Sequence, residues 1–182
     1  MYLISAYFDE NTNKILKHLQ QRIADKTGND FMIRNNVMPH LTISAIEARN
    51  VDVLIPAFEK VCREKLQPLD EKGVANNTIN IVSVGQLFPR VIYAAPVLNE
   101  YMMNLSISIY NEFATIPETN ISKFYQPYSW MPHITLGKCL DKEQMRQAFA
   151  VLQDLFMPID GLIAKIGLST VNPYREVMSV AL

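Results

Sequence analysis

The chain has 182 residues, 49% of them hydrophobic and 19% charged, with a net charge of −1 and a pI near 6.3. That length suits one compact domain or two intimately packed lobes, and the near-neutral balance disfavours tracking along a nucleic-acid duplex, which takes many Lys and Arg contacts to phosphate. No apolar run reaches the roughly 20 residues that span a bilayer, Met1-Tyr2-Leu3-Ile4 lacks the basic, cleavable pattern of a secretory signal, and Cys62 and Cys139 have neither metal-like nor redox-like spacing, so a monomer in a reducing, cytoplasmic setting is the expectation.

Tyr2–Phe8 is apolar and aromatic and reads as a buried strand. Asp9 or Asn11 can cap a helix over 11–26, with Ile15, Leu16, Leu19 and Ile23 on one face and His18 at its boundary. Gly28-Asn29-Asp30 ends it, and a connector through Arg34-Asn35-Asn36 leads to a short alternating segment at 40–45. Leu54, Phe58, Val61 and Cys62 mark a second helix over 51–66, in which Pro56 is tolerable only near the first turn and Cys62 is core filler. Strands at 78–86 and 90–96 flank Leu87-Phe88-Pro89-Arg90.

Residues 97–113 satisfy two periods: Leu98, Met102, Leu105, Ile109 and Phe113 suit a helix, whereas Leu105, Ile107 and Ile109 alternate like a strand. The length favours a helix. Residues 114–132 are irregular, and loops that long are often functional. Phe124, Tyr125, Tyr128 and Trp130 crowd their second half. Asp141 with Gln144 forms a capping box for a helix that turns Met145, Ala148, Phe149, Leu152 and Phe156 inward. Alternating strands at 159–169 and 175–182 surround Asn172-Pro173.

One stretch occurs twice. Residues 38–44 read Met-Pro-His-Leu-Thr-Ile-Ser and residues 131–137 read Met-Pro-His-Ile-Thr-Leu-Gly, 93 residues apart in a chain with only three histidines. In a strand, i and i+2 share a face, so each copy presents an imidazole beside a hydroxyl: His40 with Thr42, and His133 with Thr135. Proline suits the entry to a strand, where a missing N–H costs little. The halves, roughly 1–89 and 90–182, each repeat strand, helix, His-x-Thr strand, helix and strand. This predicts one interlocked α+β domain with two pseudo-two-fold lobes and the His/Thr pairs facing across a cleft.

Two opposed histidines are the minimal kit for general acid–base chemistry near neutral pH, and hydroxyls can donate to phosphoryl oxygens as charge builds up. Phosphodiester cleavage needs both. Metal ligation is the competing use of two histidines, but the motifs bring no carboxylate or cysteine to matching positions. A nucleotide- or RNA-binding module with the same cleft and no turnover is the other alternative. Tyr125, Tyr128 and Trp130 could stack a base, and Lys138, at the end of the second motif, could meet a phosphate.

His40-Leu41-Thr42-Ile43 and His133-Ile134-Thr135-Leu136, one per half, resemble the 2H phosphoesterase superfamily, in particular its bacterial 2′-5′ RNA ligase-like and cyclic phosphodiesterase branch. The resemblance implies a bilobal fold of two antiparallel-rich sheets facing a central cleft, with helices outside and strand exchange between lobes. It implies an enzyme without metal or cofactor that opens 2′,3′-cyclic phosphates, or makes and breaks 2′-5′ links, on a nucleotide or RNA end. His40, Thr42, His133 and Thr135 would be its catalytic set, with Lys138 at the basic position after the second motif. Where such proteins often carry an aromatic and a small residue after the first motif, this chain has Ser44-Ala45-Ile46.

Overall fold

In the computed structural model, which describes residues 1–65, 76–171 and 173–182, β1 (Tyr2–Phe8) enters α1 (Glu10–Thr27) through Asp9. The Asp9 carboxylate accepts the Thr12 amide at 3.0 Å, satisfying a donor the first turn cannot pair, and the amide of Leu162 at 2.8 Å. Gly28 closes α1 at φ 68°, a left-handed conformation that glycine adopts without steric cost. His18 is exposed, as its place beside the apolar stripe predicts.

A short helix not foreseen in the connector, α2 (Phe31–Arg34), forms where Asn29 Oδ1 accepts the Phe31 amide. After β2 (Leu41–Glu47), α3 (Ile55–Lys65) starts later than the expected residue 51, with Pro56 in its first turn, where an N–H would be unpaired anyway. The expected end of this helix at residue 66 lies outside the described residues, as does Asn172. β3 (Thr78–Leu87) and β4 (Val91–Pro96) follow. The ambiguous stretch is helical: Asn99 caps α4 (Glu100–Phe113), which buries Met102, Leu105, Ile109 and Phe113. β5 (Asn120–Ile121) is a two-residue strand inside the expected irregular segment, paired to β2. β6 (Ile134–Lys138) leads to α5 (Lys142–Leu155), where the Asp141/Gln144 capping box is fully formed. β7 (Ile159–Val171) and β8 (Tyr174–Ala181) close the described chain.

The strand pairings are antiparallel. They form two three-stranded sets, β7–β1–β2 and β3–β4–β6, joined twice. β7 is long enough to serve both: Ile159–Leu162 pairs with β3, and Ile163–Thr170 pairs with β1. At the other junction β2 and β6 meet in one pair, Leu41 opposite Ile134. The path therefore returns on itself, β1-β2-β6-β4-β3-β7-β1, with β8 added on β7 and β5 on β2. The expected α+β architecture of two antiparallel sheets is realised as the two halves of this array.

The helices cross between halves. α1 follows β1 but packs with α5 against β6 and β4, whereas α4 follows β4 but packs with α3 against β2. Leu16, Leu19 and Ile23 of α1, with Met145, Ala148 and Leu152 of α5, thus complete the core under the second His-x-Thr strand. Each such buried Leu, Ile or Met side chain is worth about 1.5–3 kcal/mol of transfer free energy. Cys62 of α3 is buried on the α3/α4 side of the core, and burial pushes its thiol up to about 11.

Asp9 stitches β1, α1 and β7 together. Partial burial alone would raise its carboxyl pKa, but hydrogen bonds from Thr12 and Leu162 outweigh that and hold it below the ordinary 3.8. The stabilisation is present above that ordinary value and is lost as pH falls through the depressed one. Asp9→Ala should lower unfolding free energy by about 1–2 kcal/mol in urea titrations at pH 7, with the deficit shrinking under acid; a deficit independent of pH would contradict this account.

Candidate active site

The two His-x-Thr stretches are brought together by one backbone pair. Leu41 and Ile134 are 0% exposed and face the core. Their neighbours at i±1 therefore face the opposite side of the sheet. Antiparallel pairing of 41 with 134 sets His40 across from Thr135 and Thr42 across from His133. Within each strand the histidine and threonine are about 6.5–7 Å apart, and cross-strand neighbours at such a pair are about 4.5–5.5 Å apart. By these spacings the four backbone positions outline a small quadrilateral with the two histidine positions on one diagonal, about 8–9 Å apart.

Both imidazoles are oriented by the same device. His40 Nδ1 lies 2.8 Å from the Met38 carbonyl, and His133 Nδ1 lies 3.0 Å from the Met131 carbonyl. A carbonyl only accepts, so each Nδ1 carries the proton and each Nε2 is the ring nitrogen left free to accept or donate. His40 is held below the ordinary 6.5. Burial is the main cause, the Met38 carbonyl opposes it, and the positive charges of His133 and Lys138 add to it. Lys138 thus acts electrostatically on His40 from the far strand, and its ammonium lies 5.8 Å from the Phe31 ring.

The threonine carbonyls are held from outside the sheet. Trp130 Nε1–H donates to Thr42 O at 3.0 Å, and Gln20 Nε2–H donates to Thr135 O at 3.1 Å. Both donors are buried, Trp130 at 7% and Gln20 at 2% exposure. The structure turns Trp130 inward as a strut beneath the first motif. Tyr125 is half-buried against the core, where burial raises its phenol pKa. Tyr128 is 84% exposed, sits at φ 67°, and lines a shallow cavity of about 250 Å³ with Ile107 and Tyr110 of α4. Of the expected substrate contacts outside the motifs, Lys138 is the one placed within electrostatic reach of His40.

No protein-family model matches the sequence, and no curated protein matches it. Among solved structures, Usb1 from Kluyveromyces marxianus is similar at 10% identity and a TM-score of 0.44, over 100% of this chain and 97% of that one. A structure of the same protein with uridine monophosphate is similar at 11% identity and a TM-score of 0.40, with the same coverage. Likeness at that level carries neither family nor activity to this chain.

Two residues absent from the sequence-based candidates flank the histidines in matching fashion. Tyr7 of β1 has its ring centroid 6.1 Å from that of His40, and Tyr93 of β4 is 5.7 Å from His133 in an edge-on arrangement. Each ring lies over a glycine of the next strand: Gly167 touches Tyr7, and Gly85 sits so close under Tyr93 that a Cβ there would collide with the phenol. Past that point the flanks differ. Tyr7 Oη is 2.9 Å from Tyr174 Oη, and the Lys165 ammonium sits 4.7 Å over its ring while pairing with Glu176 at 2.8 Å. Burial, followed by the Tyr174 contact, holds the Tyr7 phenol well above its usual range. The one available signal was a glycine in each of two apolar strands, which marks close approach of another group.

Trp130→Phe removes the indole N–H while keeping a ring, and leaves the buried Thr42 carbonyl unpaired. A loss of about 1–3 kcal/mol is expected in denaturant titration. A Trp130→Phe protein as stable as the parent would show that the indole N–H is dispensable.

Proposed function

We propose that this chain is a two-histidine phosphoesterase acting on a phosphodiester of a nucleotide or RNA end, a 2′,3′-cyclic phosphate or a 2′-5′ link. The reading is carried by the juxtaposition around the Leu41–Ile134 pair: two Nε2 atoms with a hydroxyl beside each, on one cleft face. In-line displacement at phosphorus needs a base on one side and an acid on the other, and this layout supplies both.

His40, kept neutral by burial and by nearby positive charge, takes the proton from the attacking water or hydroxyl at Nε2. His133 delivers a proton from Nε2 to the departing oxygen. Thr42 and Thr135 donate hydroxyl hydrogen bonds to the non-bridging oxygens, where charge accumulates in the transition state. Lys138 adds a positive charge at the same end. In hydrolysis of a cyclic phosphate, water oxygen bonds to phosphorus, one ribose oxygen leaves with the proton from His133, and the product is a phosphomonoester. Among the described residues no group of three or more His, Cys, Asp or Glu side chains is placed to hold a metal ion, and the mechanism routes no step through one.

The test is turnover of a panel of nucleoside 2′,3′-cyclic phosphates in EDTA by the parent, His40→Ala and His133→Ala. Each substitution should cost about 10²–10⁴-fold in kcat. A well-folded parent that binds these nucleotides but turns none over would instead support the binding module, and activity that disappears with EDTA and returns with Zn²⁺ would support metal catalysis.

The pH profile gives an independent check. The base must be neutral, so kcat/KM should fall as pH drops through a value below 6.5, set by His40. Removing the Lys138 charge with Lys138→Gln should move that limb upward, toward 6.5. A limb that stays in place in Lys138→Gln would take Lys138 out of the electrostatics of the site.

A further inference from the structure

The four motif residues obey a two-fold plan, but the tyrosines beside them do not, and the difference gives the cleft a direction. On the His40 flank, Tyr7 is only 6% exposed, its hydroxyl is tied to Tyr174, and Lys165 lies over its ring. That ring offers no free face. On the His133 flank, Tyr93 belongs to the partly exposed row of β4, since Ile92, Ala94 and Pro96 alternate with it as the buried row. One face of its ring rests on Gly85, and among the described residues no cation lies over it. Its hydroxyl has a weak partner, Met131 Sδ at 4.0 Å. Tyr93 pairs with Thr135, so this half-open ring stands directly beside the second motif.

A partly exposed aromatic ring pinned on one side by a glycine and set beside the second His-x-Thr pair fits a planar heterocycle carried by the substrate. We propose that Tyr93 is the nucleobase platform of this chain and that it fixes the nucleoside on the His133 side of the cleft. The inference rests on the phosphoesterase reading for its chemistry, and deepens it by assigning orientation. With the base on Tyr93, the ribose oxygen that leaves phosphorus lies at His133, which protonates it. Water enters from the opposite side at His40, whose Nε2 takes its proton. One P–O bond forms and one breaks, and the proton gained by His40 balances the proton given up by His133.

The experiment compares adenosine 2′,3′-cyclic phosphate with ribose 2′,3′-cyclic phosphate, which lacks the base, across the parent, Tyr93→Phe, Tyr93→Leu and Gly85→Ala. Stacking on one aromatic ring is worth about 5- to 150-fold in affinity. Tyr93→Leu should therefore raise KM for the adenosine substrate in that range with kcat little changed, and leave KM for the ribose substrate where it was. Tyr93→Phe should keep the parent KM. Gly85→Ala leaves Tyr93 in the chain but lifts its ring, and should reproduce the base-dependent rise. KM increases that are equal on both substrates, or absent on both, would overturn the platform.

Binding separates this inference from the reading beneath it. If the parent turns over neither substrate, the phosphoesterase reading fails, and titration with adenosine 3′-monophosphate and ribose 5-phosphate still decides the platform. Weakening of the nucleotide alone by Tyr93→Leu sustains it; equal weakening of both overturns it. The orientation has its own readout in an aryl phosphodiester with p-nitrophenolate as leaving group, which needs no acid. There His133→Ala should retain most of the parent rate while His40→Ala loses it, and the reverse pattern, or equal loss, would overturn the assignment.

Discussion

The pairing of Leu41 with Ile134 is a small contact with large consequences. β2 and β6 share this pair and otherwise turn to other partners, β1 and β5 on one side and β4 on the other. Because the side-chain period of a strand is two, this pair alone decides that His40, Thr42, His133 and Thr135 share a face. A slip of one residue in β2 alone would send its histidine and threonine into the core and bring Leu41 and Ile43 to the cleft. The register is protected by burial: Leu41, Ile43 and Ile134 are within 1% of complete exclusion from water, and reversing any of them would place a polar side chain in that volume.

The surrounding fold resists separation at this contact. α1 and α4 each leave the half in which their sequence begins and pack under the strands of the other, and β7 runs through both halves. Pulling the halves apart would expose Leu16, Leu19 and Ile23 on one side and Met102, Leu105 and Phe113 on the other. Gln20 and Trp130 repeat the exchange at the level of hydrogen bonds: a residue before the first motif holds the second, and a residue just before the second holds the first. The geometry between the two histidines is thus a property of the whole interlocked core, which suits a site that requires two groups at a set separation.

Much of this was legible in the sequence. The doubled Met-Pro-His-x-Thr stretch identified the motif residues, and the helix faces of α1, α4 and α5 follow from the spacing of their apolar residues. What remained hidden depends on long-range pairing. The division of β7 between two partners looks, in sequence, like one continuous alternating strand. Gln20 sits on the apolar stripe of α1 as an ordinary polar interruption, and its partner is 115 residues away. Trp130 reads as one of four clustered aromatics until its N–H finds Thr42. Tyr7 and Tyr93 lie in strands rich in apolar residues, where a tyrosine is most simply core, and only a glycine on the neighbouring strand, Gly167 near Tyr7 and Gly85 opposite Tyr93, marks the close approach of each ring.

Pseudo-symmetry also sets a physical problem that this chain resolves. A two-fold arrangement of identical His/Thr pairs offers a phosphodiester two equivalent orientations, whereas acid–base catalysis needs the two histidines in different protonation states. Identical backbone anchors on both Nδ1 atoms cannot supply the difference. It arises outside the motifs: Lys138 has no basic equivalent after the first copy, where the chain continues Ser44-Ala45-Ile46-Glu47, and Lys165 covers Tyr7 while Tyr93 has no cation over it among the described residues. The first asymmetry favours the neutral form of His40, and the second leaves the ring proposed to stack a base on the His133 side. On the proposed two-histidine reading, both break the symmetry in the same direction, toward a base at His40 and an acid at His133, so substrate orientation and protonation state reinforce each other instead of competing.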